Sequence, residues 1–175
     1  MFIYGGNLGK PQGISFLIEC LKSQEKNEEA FFLIVGSGTE YSKLEKYISE
    51  CNPINVKLMQ RLPKEDYDTM VGACDVGMIF LDHRFTIPNF PSRLLSYMQA
   101  KIPVLACTDP NTDIGRIIEE AGFGCCKSND VGKFDKCVKN LMNIEQVADK
   151  EWTYLNQHYS TEKGYQIIMK HFIDL

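Results

Sequence analysis

Six short apolar runs alternate with segments of helical periodicity along this chain, and that alternation restricts the fold more than any other feature. The runs occupy residues 2–4, 31–36, 55–59, 76–81, 102–107 and 122–126. Several are apolar at consecutive positions rather than at every second one, as expected of strands covered on both faces. Between and after them, apolar residues recur at i, i+3, i+4 and i+7: Ile14/Leu17/Ile18/Leu21, Leu44/Tyr47/Ile48/Cys51, Tyr67/Met70/Val71/Cys74, Ile114/Ile117/Ile118/Ala121, Phe134/Cys137/Val138/Leu141 and Tyr165/Ile168/Met169/Phe172. A further short apolar-faced helix follows the step Pro91-Ser92-Arg93. Strict alternation with right-handed crossovers gives an α/β fold, a single doubly wound parallel sheet of about six strands with helices on both faces. In such a sheet the ligand crevice lies beyond the carboxyl ends of the strands. The loops to inspect are therefore residues 5–13, 36–40, 81–93 and 108–112.

Composition narrows the function classes. The 175 residues are 44% apolar and 24% charged, with a net charge of -4. That balance excludes nucleic-acid binding through bulk positive charge and leaves room for a local basic pocket. No apolar run is long enough to span a bilayer, and the N-terminus MFIYGGN lacks the basic and apolar regions of a secretory signal. Seven cysteines, an odd number with no C-x-x-C spacing, fit reduced core thiols in a cytoplasm better than disulfides or a metal site. A strand beginning at residue 2, with nothing before it, reads as the start of one half of a larger architecture.

Candidate chemistry concentrates in the loops. GGNLGKPQG (5–13) follows the first strand and enters a helix, so its backbone N–H groups are placed to cradle a phosphate; the alternative is a plain tight turn. It matches neither the P-loop nor G-x-G-x-x-G, and Gly36-Ser37-Gly38 also fails the latter pattern because Tyr41 stands at the third glycine position. Asp66-Tyr67-Asp68 has the form of a metal-binding D-x-D, but residues two apart on a helix point in different directions, so helix-dipole acids are the better reading. The three histidines have no metal-ligand spacing, and no metal site is expected. Ser92 and Arg93 either cap a helix or hold an anion at its N-terminus, where the dipole favours negative charge.

Taken in order, GGNLGKPQG, LIVGSGTEYSKL, NVKLMQRLPKEDYDTMVGACDVGMIFL, PSRLLSYMQAKIPVLA and TDIGRIIEEAGFG resemble the C-terminal, donor-binding half of a family 4 glycosyltransferase with the GT-B fold, of the bacterial surface-polysaccharide type. The resemblance implies a Rossmann-like donor-binding domain over 1–175, with 160–173 a C-terminal helix and the N-terminal acceptor domain absent from this chain. It implies transfer of a sugar from a nucleotide-diphosphate donor to a saccharide or lipid-linked saccharide acceptor, retaining and metal-independent, with no cofactor. A cytoplasmic location follows, peripheral at the inner face of the membrane for the full-length enzyme, as does weak self-association through an uncovered C-terminal helix. Alternatives within reach are a sugar-nucleotide epimerase of the same fold, with Asp82 and His83 as its few acid/base candidates, and a non-catalytic donor-binding subunit or degenerate module.

Residue by residue, the resemblance assigns donor contacts to Gly6, Asn7 and Lys10 in the first loop, Gly36, Ser37 and Gly38 in the second, and Arg61 and Leu62 after the third strand. Around the following helix it assigns Asn89, Phe90, Ser92, Arg93 and Ser96. The sequence departs from the family in two places. Gly6-Asn7 and Gln12-Gly13 stand where relatives carry Gly-Arg and Lys-Gly, and Pro88 and Ser96 stand where many carry the two glutamates of E-x7-E. The anion-binding task then falls on Ser92, Arg93 and the first-turn N–H groups of that helix, with Ser96 facing the ribose. No catalytic residue is identified.

Overall fold

The computed structural model describes residues 1–84, 90–109, 111–127, 129–144 and 147–173. Six parallel strands, β1 (Phe2–Asn7), β2 (Phe32–Ser37), β3 (Val56–Met59), β4 (Val76–Phe80), β5 (Val104–Cys107) and β6 (Gly124–Lys127), form one sheet in the order β3-β2-β1-β4-β5-β6. The helices between them are α1 (Ile14–Ser23), α2 (Tyr41–Cys51), α3 (Lys64–Gly72), α4 (Arg93–Ala100), α5 (Ile114–Glu120) and α6 (Val131–Met142). Two more, α7 (Ala148–Tyr159) and α8 (Thr161–Ile173), close the chain. The doubly wound sheet expected from the alternation is the one found.

Apolar runs become strands here because both faces of the sheet are covered. Tyr4, Ile34, Met78 and Leu105 point into one core with Leu17, Leu21 and Phe134 from α1 and α6. Ile3, Val35, Ile79 and Val104 point into the other with Val71, Tyr97 and Ile118 from α3, α4 and α5. Adjacent residues thus face different cores, which removes the polar alternation of a half-exposed strand.

Helix α7 was not foreshadowed by periodicity. Its packed face combines Glu151, Tyr154 and Leu155, and it lies against α4. Glu151 breaks the apolar stripe that Tyr154 and Leu155 continue, so the periodicity does not stand out in sequence. Helix α8 follows the expected boundaries closely but is exposed along its described length, with Tyr165, Ile168 and Phe172 at 63%, 58% and 69% of full exposure.

Candidate functional site

Strand order reverses between β1 and β4: β2 and β3 lie on one side of β1, β5 and β6 on the other side of β4. Loops leaving the carboxyl ends of β1 and β4 diverge at that point and leave a crevice. A cavity of about 370 Å³ lies here, lined by Gly5, Gly6, Asn7, Val35, Arg61, Leu62, Lys64, Tyr67, Asp68, Ser92, Arg93 and Ser96. It gathers residues from four separate parts of the chain.

Arg93 opens α4 and reaches across the end of β1. Its guanidinium carbon lies 4.6 Å from the centre of the Tyr4 ring, in cation–π geometry. One guanidinium nitrogen, Nη1, is shielded from solvent without a hydrogen-bond partner, and among the described residues no carboxylate pairs with the side chain. Its neighbours are phenols. Burial pushes the Tyr4 hydroxyl upward despite the opposing field of Arg93, and does the same to Tyr67 and, most strongly, Tyr97. All three are therefore uncharged at neutral pH, and the arginine's positive charge stays unneutralised.

Glycines make this approach possible. Gly6 has φ +121°, and a Cβ built on it would stand 2.6 Å from Arg93 Nη2. The same atom on Gly5 would collide with the Tyr67 ring, which lies over the strand end. Tyr4 fixes the turn from beneath, its hydroxyl donating to the Asn7 carbonyl at 2.8 Å.

Of the residues singled out in sequence, Gly6, Asn7, Arg61, Leu62, Ser92, Arg93 and Ser96 line this one cavity. Gly36 and Ser37 are the β2 register partners of Gly6 and Asn7, so the second loop leaves the sheet beside the first. Gly38 packs against the Leu8 carbonyl, where a Cβ would come within 2.5 Å. Asn7 spends its amide on Gln12, donating to Oε1 at 3.1 Å. Phe90 lies in a smaller cavity beside Pro91, with its ring 5.3 Å from that of Tyr159. Asn89 lies outside the described residues.

Ser92 precedes α4, yet its side chain makes no capping hydrogen bond. The amides of Leu94 and Leu95 turn back onto the carbonyls of Pro91 and Ser92, at 3.0 Å each. Those two donors of the first turn are therefore taken, which concentrates the cationic role on the Arg93 side chain.

Lys10 sits elsewhere. It lines a second cavity of about 500 Å³ with Glu19, Glu40, Lys43, Asp82, His83 and Arg84, on the α1 side of the β1 loop. There Asp82 receives both Nε and Nη2 of Arg84, at 2.9 and 2.7 Å, and the amide of Arg84 as well. The Arg84 hydrogen bonds hold its carboxyl at a pKa of about 2. A carboxylate so committed is a poor proton donor.

Val35, Lys64 and Tyr67 line the cavity without having been assigned a ligand contact in sequence, and Tyr4 supports it. Lys64 and Asp68 form an i,i+4 ion pair on α3, so Asp68 and Asp66 do not act as a chelating pair. Tyr67 carries the periodic signature of a core residue and does pack in the core, but its ring also forms the cavity wall.

Comparison with known proteins agrees with this fold. The family described as "Glycosyl transferases group 1" matches residues 1–155. The chain is 28% identical over 163 residues to the probable glycosyltransferase WbjE of Pseudomonas aeruginosa, covering 91% of this chain and 40% of that protein. It is 25% identical over 130 residues to the putative colanic acid biosynthesis glycosyl transferase WcaI of Escherichia coli, covering 72% and 31%. The chain thus spans less than half the length of either curated relative. Among solved structures, Staphylococcus aureus TarM, crystallised with UDP among its ligands, superimposes with a TM-score of 0.77 at 17% identity, over 97% of this chain and 34% of that one. Anabaena HepE in complex with UDP and glucose gives 0.74 at 17%, over 99% and 48%. Those structures share the fold. With its six-stranded parallel sheet, its crevice at the strand-order reversal and a family match over most of its length, this chain belongs to the group 1 glycosyl transferases.

Proposed function

We propose that this chain binds the nucleotide-diphosphate sugar donor of a glycosyl transfer reaction in bacterial surface-polysaccharide assembly. The observation that carries the reading is Arg93. A cation with no carboxylate partner among the described residues, and with one shielded, unpartnered nitrogen, stands in the crevice at the strand-order reversal. A buried donor without an acceptor costs about 1–3 kcal/mol, which an incoming anion relieves.

In this reading the donor's diphosphate lies against Arg93 and Ser92. Val35, Arg61 and Leu62, at the β2 and β3 ends of the cavity, bound the nucleoside. The bond between the anomeric carbon and the distal phosphate oxygen breaks as an acceptor hydroxyl bonds to that carbon, with retention of configuration. The hydroxyl proton passes to the departing phosphate. Negative charge grows on the leaving diphosphate as this happens, and a cation already fixed in place stabilises that charge without reorganising. The acceptor and any group acting on it come from outside this chain.

Nucleoside diphosphate binding is expected to be insensitive to chelators, because the compensating charge is a side chain. Calorimetric titration of UDP, GDP, ADP and CDP, with and without EDTA, tests this. Selective binding that survives EDTA supports the reading and names the base; loss of binding in EDTA, or none to any nucleotide, refutes it. The epimerase alternative is disfavoured by Asp82, whose carboxylate is held by Arg84 in the other cavity.

A further inference from the structure

We infer that Tyr4 is a positioning residue for anion binding, setting the Arg93 guanidinium and the Gly6–Asn7 turn at once from a single buried side chain. The inference rests on the proposal that the cavity at the strand-order reversal takes a diphosphate. Three contacts carry it. The Tyr4 ring face lies under the guanidinium at 4.6 Å. Its hydroxyl donates to the Asn7 carbonyl at 2.8 Å, holding the turn in which Gly6 makes room for Arg93. Its ring also packs edge-on against Phe80, ring centres 6.2 Å apart, within a fully buried environment.

The physical argument concerns what an unpaired arginine needs. A long side chain with no carboxylate partner has many rotamers open to it, and fixing one on anion binding costs affinity. Stacking on an aromatic face fixes the side chain beforehand and leaves the charge available, which a salt bridge would not do. Neutral Tyr67 and Tyr97 nearby add bulk without adding charge. Tyr4 is wholly buried and makes no contribution of its own to the cavity lining. Its effect on a ligand therefore passes through Arg93 and the turn.

That route has a signature that an ordinary core tyrosine lacks. UDP, GDP, ADP and CDP are titrated into the unmodified chain, and the tightest binder is carried through Arg93→Ala, Tyr4→Leu, Tyr4→Phe and the double variant Arg93→Ala/Tyr4→Leu, with melting temperatures for all. Arg93→Ala is expected to weaken binding roughly 10- to 150-fold. Tyr4→Leu is expected to weaken it about 10-fold, with the double variant no weaker than Arg93→Ala alone. Tyr4→Phe, which keeps the ring, restores most of the loss. Effects that multiply in the double variant overturn the positioning role while leaving the anion site standing. Unchanged affinity in Arg93→Ala overturns the anion site itself, and the positioning role with it. If Tyr4→Leu does not fold, ring-fluorinated phenylalanine in place of Tyr4 gives the same comparison at constant shape. Weaker binding with increasing fluorination is then expected, and a flat series refutes the role.

Discussion

Ionisable groups without a partner are the theme at the scale of single residues, one basic and one acidic. Arg93 is the cationic case: replacing it with alanine is expected to cost about 1.5–3 kcal/mol of nucleoside diphosphate binding, read by calorimetry. Gly6→Ala tests the same contact from the other side. Its φ of +121° and the nearness of Arg93 Nη2 mean that a methyl group strains the turn and displaces the guanidinium together. A stability loss of about 1–3 kcal/mol accompanied by weaker nucleotide binding is expected. Glu151 is the acidic case, and it stays uncharged. It is wholly buried in α7, neither oxygen has a hydrogen-bond partner among the described residues, and burial raises its pKa to about 8. The folded protein keeps it protonated at neutral pH, while the unfolded chain ionises near the usual value of 4.5. Stability is therefore fullest below that value and is lost as pH rises toward 8. Urea denaturation should show a fall of a few kcal/mol between pH 5 and pH 8, on the order given by linkage, and Glu151→Gln should flatten the slope.

At the scale of elements, α4 and α8 play opposite parts. Helix α4 is short and buried on one face through Leu94, Tyr97 and Met98, and Tyr97 donates its hydroxyl to the β4 carbonyl of Met78 at 3.1 Å. That anchorage holds Arg93, at the helix's first residue, in register with the end of β1. Among the described residues helix α8 packs chiefly against α7, and it presents Tyr165, Ile168 and Phe172 outward. Apolar faces of this kind associate in water. Sedimentation velocity is expected to show weak, concentration-dependent self-association, abolished by Ile168→Glu with Phe172→Lys; a strictly monomeric chain at high concentration would contradict it.

For the whole molecule, the relevant fact is that the chain spans 40% and 31% of its two curated relatives. On the proposed reading the cavity takes a donor, and none of its described lining residues is assigned to an acceptor hydroxyl. Nucleotide binding with little or no turnover is therefore expected of this polypeptide alone. Robust sugar transfer, measured with nucleotide sugars and saccharide acceptors, would show the division of labour to be wrong.

What the sequence determined by itself was the alternation of elements, their order and most of the loops that meet at the crevice. Those are properties of local patterning: a strand buried on both faces is apolar at every position, and a helix repeats every 3.6 residues. Helix α7 escaped because Glu151 interrupts its buried stripe, and no rule of patterning anticipates a protonated buried carboxyl. Tertiary structure alone decided which loop residues share a cavity. Lys10 lies three residues beyond Asn7, yet the 3₁₀ turn at Lys10–Gln12 carries it to the other side of β1, beside Asp82. Arg93 lies far along the chain, yet the pairing of β1 with β4 brings it over Tyr4. Side-chain reach at a crevice depends on which strands are neighbours and on the few ångströms a glycine leaves open, and both are settled only when the sheet assembles.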